Sequence, residues 1–351
     1  MATVRPFRAL RYAEAAAGPL ATLVAPPYDV VSPSEREAYL AQSPHNIVHL
    51  TLAEDEEAAA RELAAWRKTG VLVEEPEPAY WWLSQRYVGP DGVEREREGF
   101  VAALRVEPYE NRVVLPHERT HAGPKEGRLR LLRATRTQLE PIFLLWDATI
   151  EVDGLGEPDL AVDEGGVVSR LWRLDPAFGD ALTGELADAQ LLIADGHHRY
   201  ETALAFHAED GTESSAWILA VIVPTDQEGL TIFPTHRVAQ AVNGVSGPPI
   251  EEPGAELPGL VLYRQGRYEL LDAEGPDPEA VERFAPEGVS YTPDAAEAVA
   301  AVDRGDAEAA FLLRPTAIED VWAVAGRGEV MPQKSTFFYP KLTSGLLLLP
   351  L

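Results

Sequence analysis

Apolar positions fall into two patterns along this chain, short continuous runs and stretches at helical spacing, and the two alternate throughout. Leu191-Leu192-Ile193-Ala194 is a run of the first kind and predicts a buried strand. Asp195-Gly196 breaks it, and Tyr200, Ala203, Leu204 and Phe206 resume at helical spacing. Upstream, Val4 to Leu10 and Asn46 to Leu50 read as strands, and Ser34 with Glu37 reads as a capping box opening a helix. Glu54 to Thr69 is an amphipathic helix stopped by Gly70. Ala79 to Val106 reads as a hairpin turning at Gly89-Pro90-Asp91-Gly92, with its aromatics in the core. An Arg-rich helix over Gly127 to Thr137 and a strand over Pro141 to Trp146 follow. Beyond the buried strand expected at Ser215 to Val223 comes a surface loop, Val245 to Leu260, rich in Pro, Gly and Glu. Strands over Val261 to Leu271 and Ala310 to Arg314 then alternate with helices over Asp277 to Phe284 and Asp294 to Arg304. This alternation predicts an α/β (α+β) fold with mixed sheets. The acidic, Gly-containing stretch Glu151 to Gly166 is the expected connector. It would divide the chain into parts 1–150 and 151–351, with a site between them.

Composition narrows the picture. With 351 residues, 46% hydrophobic and 25% charged, the chain has the length and core of one large or two ordinary domains. A net charge of −27 argues against a broad nucleic-acid or membrane-binding surface, so an anionic small molecule would need a local cationic pocket. No apolar run is long enough to span a bilayer, and no secretory pattern stands at the start. The absence of cysteine excludes disulfides, thiolate metal sites and a Cys nucleophile, and fits a cytoplasmic protein. The sequence does not set the oligomeric state. Lysine occurs only at 68, 125, 334 and 341, although arginine is common.

A strand that turns through Gly into a helix leaves the first amides of that helix unpaired beside the positive end of its dipole. That is an anion site, and here Gly196, His197, His198 and Arg199 would surround it. Arg199 offers two parallel bonds to a phosphate, and either imidazole can donate or relay a proton. The plain alternative is an Asp-capped helix with two exposed histidines. Asp195 is accordingly a Mg²⁺ ligand or a cap. Pro26-Pro27 fixes the loop that carries Tyr28 and Asp29, either as a pocket wall for substrate or as a structural turn. His236-Arg237 is a second compact His/Arg pair. In the tail, Lys334 and Lys341 flank Ser335 and Thr336 and are placed to close over an anion, or to dock as a strand.

His117-Glu118-Arg119-Thr120-His121 has the letter pattern of zinc peptidases, which requires both histidines on one helical face. Pro116 before it and Gly123-Pro124 after it argue against such a helix, so no zinc is expected. The other reading is a loop that presents Glu118 as a base, near Lys125 and Arg128.

Together these segments are similar to the prokaryotic family catalogued as domain of unknown function 1015. The motifs, in order, are Pro26-Pro27-Tyr28-Asp29-Val30, His117-Glu118-Arg119-Thr120, Ala194 to Leu204, Pro234-Thr235-His236-Arg237 and Met331 to Leu342. One departure is Gly127, where an acidic residue is expected before Arg128. More distantly, the Asp-Gly-His-His-Arg turn resembles the phosphate-binding motif of the ParB/sulfiredoxin-like fold. The free serine kinase branch of that fold carries a catalytic Glu in an upstream Pro-His-Glu segment, to which Pro116-His117-Glu118 is similar. That resemblance implies a nucleotide- or pyrophosphate-using phosphotransferase with Mg²⁺, acting on a hydroxyl-bearing metabolite such as free L-serine. Glu118 and His198 would be catalytic. A non-catalytic nucleotide-binding module and a zinc hydrolase are the competing functions.

Overall fold

The structure is a computed structural model that describes residues 2–119, 122–150, 152, 154–273 and 275–351. The fold is mixed α/β, as the alternation of patterns predicts. Two units are present. The first comprises Met1–Leu115, Thr120–Leu230 and Pro340–Leu351; the second comprises Pro116–Arg119 and Thr231–Tyr339. Among the described residues no helix is long and apolar enough to cross a membrane.

The first unit is built on a sheet that has nine strands among the described residues. At its centre Ile142–Trp146 pairs antiparallel with Leu191–Asp195 on one side and parallel with Trp217–Pro224 on the other. These strands are short unbroken apolar runs because both faces are covered. One face packs Leu144, Ile193, Ile218 and Phe100 against Tyr200 and Ala203 of the helix His197–Asp210 and Leu182 of the helix Pro176–Leu186. Over the other face, Leu342, Leu346 and Leu347 of the C-terminal segment gather with Leu83, Val101 and Val221. The helices Ala122–Thr135 and His197–Asp210 are joined by the ion pairs Lys125–Glu201, Arg133–Glu209 and Arg136–Asp210.

The second unit has its own sheet, six-stranded among the described residues, with a helix on each face. Strict alternation along Leu260–Arg264 and Ala309–Leu312 sends Leu260, Leu262 and Phe311 towards Ala280 and Val281 of the helix Asp277–Phe284. Val261, Tyr263 and Ala310 go the other way, towards Ala298 and Ala301 of the helix Ala295–Asp303.

Several expectations change. Residue 150 falls inside the first unit and is no boundary, because Ile142–Trp146 before it is bonded to strands that come well after it. The expected connector supplies the strand Leu160–Glu164. Asn46–Leu50 is not a strand: Val48–Thr51 is a helical turn, nucleated by Asn46. The Asn46 Oδ1 accepts the Val48 N–H, and its Nδ2 donates to the Thr22 and Val24 carbonyls. The first capping box lies two residues earlier than expected, on Ser32 and Glu35, with Pro33 as the first helical residue. Gly123-Pro124 does not stop a helix but lies in the first turn of Ala122–Thr135, where a missing N–H costs nothing. The helix Ile318–Gly326 was not foreseen.

Leu144 is fully buried at the centre of the main sheet. Leu144→Ala is expected to lower stability by about 2–5 kcal/mol, read as a shift in the urea midpoint. A loss below about 1 kcal/mol would show that the sheet collapses around the gap.

Candidate functional site

The strand Leu191–Asp195 passes through Gly196 into the helix His197–Asp210, as the sequence predicts. Gly196 is the N-cap, with φ 96° in the left-handed region. A Cβ there would sit 2.9 Å from Ile142 Cγ2 and 3.1 Å from Arg199 Nε, so both backbone conformation and space select glycine. Neither role expected of Asp195 is the one it takes. No side chain caps the helix. The Asp195 Oδ2 accepts from Arg199 Nη2 and its Oδ1 accepts from Lys341 Nζ. With a cation on each oxygen, Asp195 does not fit as a metal ligand. Among the described residues no group of three or more His, Asp or Glu is placed to hold a metal ion.

Burial works to raise the Asp195 pKa, but the Lys341 ammonium and Arg199 guanidinium together hold it well below the usual carboxylate range. Arg199 is itself 8% exposed, and its Nη1 donates to the Pro141 carbonyl. The guanidinium fork offered to a ligand in the sequence reading is therefore folded back over Gly196 and spent inside the protein. His197 is buried and His198 half-buried in the first helical turn.

Around Arg199 lies a second set of groups in the same unit. The Glu140 Oε1 accepts the Tyr28 N–H at 2.9 Å and the Ser344 hydroxyl at 3.1 Å. Its Oε2 stands 3.7 Å from Arg128 Nη1. Arg128 lies over the Tyr28 ring at 3.9 Å. Arg128, Glu140, Arg199 and Thr202 line a small, open cleft. Tyr28 and Asp29 are thus held beside the turn, and the exposed Asp29 is close enough for its charge to act on Arg199. The sequence reading missed Glu140. The only signal was an acidic residue directly before Pro141 and an apolar strand, a place where a charge is dear to bury.

Glu118, His236, Arg237 and Lys334 belong to the second unit. Glu118 pairs by its backbone with Met331, whose N–H donates to the His117 carbonyl at 2.8 Å. His117 is fully buried, and its Nε2 shares a 2.9 Å hydrogen bond with Thr336 Oγ1. It precedes the helix that begins at Ala122, so the helical setting a zinc peptidase needs is absent at His117; His121 lies outside the described residues. His236 Nδ1 accepts the Leu313 N–H at 3.1 Å, and burial, reinforced by Arg237, pulls its pKa down to about 4. Arg237 donates to the carbonyls of Gln333 (3.2 Å) and Lys334 (2.8 Å), and burial brings it down to about 10. Arg237 thus braces the 333–336 loop, while His236 holds the end of the strand Ala309–Leu312. Lys334 is exposed at a left-handed position, φ 57°.

The family described as "Protein of unknown function (DUF1015)" matches residues 4–252. No curated protein matches the chain. Solved structures similar to it include SbnI with C-terminal truncation from Staphylococcus aureus, at 14% identity over 71% of this chain and 87% of that one, TM-score 0.43. A free serine kinase in complex with AMP is similar at 15% identity over 67% and 89%, TM-score 0.38. A conserved hypothetical protein from Pyrococcus furiosus is similar at 15% over 67% and 92%, TM-score 0.36.

Burial raises the Glu140 pKa against the opposing pull of Arg199 and Arg128. A carboxyl with a raised folded pKa contributes fully below its unfolded value, and that contribution is lost as pH rises through the folded value. Glu140→Gln keeps the acceptor for Tyr28 and Ser344 but does not titrate. The parent is expected to lose stability relative to Glu140→Gln as pH rises from the ordinary carboxyl range towards neutrality and above in urea titrations. Parallel curves over that range would show an ordinary carboxyl.

Proposed function

We propose that the chain, which belongs to the DUF1015 family, holds a nucleotide or pyrophosphate at the Asp195–Arg199 turn and transfers a phosphoryl group to a small hydroxyl-bearing metabolite. Free L-serine is the foremost candidate acceptor, and a ParB/sulfiredoxin-like phosphate-binding core is part of this reading. One observation carries it. In a chain with a net charge of −27, Arg199 and Lys341 converge on one carboxylate beside the N-terminus of a 14-residue helix. Opening amides, a helix dipole and converging cations in one place are what a phosphate requires. The kinase part rests on the order of two motifs, Pro116-His117-Glu118 before Asp195 to Arg199.

In this reading the amides after Gly196 and the Lys341 ammonium bind the donor phosphate, with His197 at their side. Arg199 acts by holding Asp195, and so Lys341, in place. His198 stabilises charge or relays a proton on the transferring group. Glu118 takes the proton of the acceptor hydroxyl, a contribution of about 10²–10⁴ in rate. Tyr28 and Asp29 form a wall on the acceptor side. His236, Arg237 and Lys334 shape the loop around residues 333–336.

Calorimetry with ATP, ADP and pyrophosphate, and a transfer assay with L-serine, test these roles. Lys341→Met removes a charge-assisted bond and is expected to weaken donor binding by roughly 10- to 100-fold, from about 1.5–3 kcal/mol. Glu118→Gln is expected to leave binding within a few-fold and to cut turnover by about 10² or more. Donor binding with no transfer in the parent would favour a non-catalytic nucleotide-binding module. A parent that binds none of the three donors would end the phosphate reading.

A further inference from the structure

Beneath the turn lies an arginine with no counterpart among the motifs. Arg97 is 1% exposed on the long strand Glu94–Arg105, in a row of buried polar groups that crosses the main sheet. Its cross-strand partner is Gln85, and Ser169 is the partner of Gln85 on the next strand. The Arg97 Nη2 donates to Gln85 Oε1 at 2.5 Å and to the Pro340 carbonyl at 2.8 Å. Pro340 directly precedes Lys341, so this bond fixes the backbone that carries the ammonium onto Asp195. The guanidinium lies 4.5 Å over the ring of Phe143, which is itself the cross-strand partner of Asp195. All these residues belong to the first unit. Arg97 thus reaches the site in two ways. It grips the segment that supplies Lys341, and it brings a positive charge into the low-dielectric ground under the turn.

Burial lowers Arg97 to about 10, while the charge of Asp195 acts on it in the opposite sense. It is therefore a cation at neutral pH, and it is felt at Asp195. An arginine is a costly choice at such a place if packing is the only demand, since apolar residues fill buried positions without a desolvation penalty.

We propose that Arg97 is a positioning residue of the anion site, which anchors the Lys341 segment and adds buried positive charge that favours the more highly charged phosphate ligands. This rests on the reading of the 195–199 turn as a phosphate site. Coulomb energy scales with the charge of the ligand, so a field effect must grow from inorganic phosphate to pyrophosphate. A residue that served packing alone would weaken both by the same factor.

The experiment is calorimetric titration of the full chain with inorganic phosphate and with pyrophosphate, on four proteins checked for folding by circular dichroism. They are the parent, Arg97→Lys, Arg97→Met and Gln85→Glu. Arg97→Met is expected to lose pyrophosphate affinity about 10-fold or more and phosphate affinity about three-fold. Arg97→Lys keeps the charge and is expected to retain the parent's ratio of the two affinities. Gln85→Glu keeps the bond to Arg97, can accept from the Ser169 hydroxyl, and sets a carboxylate beside the guanidinium. It is expected to lower the pyrophosphate preference as Arg97→Met does, and it carries the test should Arg97→Met fail to fold. Unchanged ratios in folded Arg97→Met or in Gln85→Glu, with a parent that binds both ligands, would overturn the role of Arg97 alone. A parent that binds neither would overturn the turn reading, and this proposal with it.

Discussion

One buried carboxylate sets the terms for the first unit. Asp195 lies at the end of an interior strand, where an unpaired charge would cost several kcal/mol. The chain meets that cost with Arg199, four residues on in the helix that follows, and Lys341, brought back from a remote part of the sequence. Each partner is then constrained in turn. Arg199 has to fold back over a residue without a Cβ, and the Lys341 backbone has to be fixed, which the Arg97 bond to Pro340 does. The polar row beneath the sheet and the glycine at the turn follow from the same requirement. The charged groups at the turn are thereby held by one another, Asp195 by Arg199 and Lys341 and the Lys341 segment by Arg97.

Glu140 answers a different demand with the same device. A single carboxyl joins the Tyr28 loop, Ser344 of the C-terminal segment and Arg128 in the middle of the helix Ala122–Thr135. Where Asp195 is held charged by two close cations, Glu140 is pushed towards its neutral form by burial. Two acids a short distance apart along the fold therefore stand on opposite sides of their usual behaviour.

The elements that the sequence made legible are those in which local pattern and tertiary demand agree. The Leu191–Asp195 strand, the glycine turn and the helix after it could be read because a buried run, a breaker and a helical period stand in succession. The same holds for the hairpin of Trp81–Val88 and Glu94–Arg105 and for the helices Asp277–Phe284 and Ala295–Asp303, whereas Val261 to Leu271, which reads as one strand, is two antiparallel strands, Leu260–Arg264 and Arg267–Leu271. Asn46–Leu50 misled because its apolar letters suit a strand, whereas its conformation is decided by an asparagine that bonds to a distant loop. The domain boundary misled for a related reason. Composition marks exposed stretches, but sheet partners decide which strands belong together, and Ile142–Trp146 has its partners far downstream. Within the site, the turn was legible and the role of its charged residues was not. Arg199 reads as an open fork until Pro141 and Asp195 are seen to occupy it. Arg97 carries no local signal and Glu140 only its place before Pro141 and an apolar strand, since burial is a property of the whole fold.

The distance in sequence between Asp195 and Lys341 has a consequence for how the protein is made. The two partners are 146 residues apart, so at about 5–20 residues per second a ribosome delivers Lys341 roughly 7–30 s after Asp195. Through that interval the nascent sheet gains the strand Trp217–Pro224 but lacks the cation on the Asp195 Oδ1 and the apolar cover of Leu342, Leu346 and Leu347. The whole of 231–339 must also be synthesised in between, and it forms a unit with a core of its own. The later unit is thus able to fold while the earlier one still waits for its last stretch, and vectorial synthesis leaves the first-made sheet to be closed last.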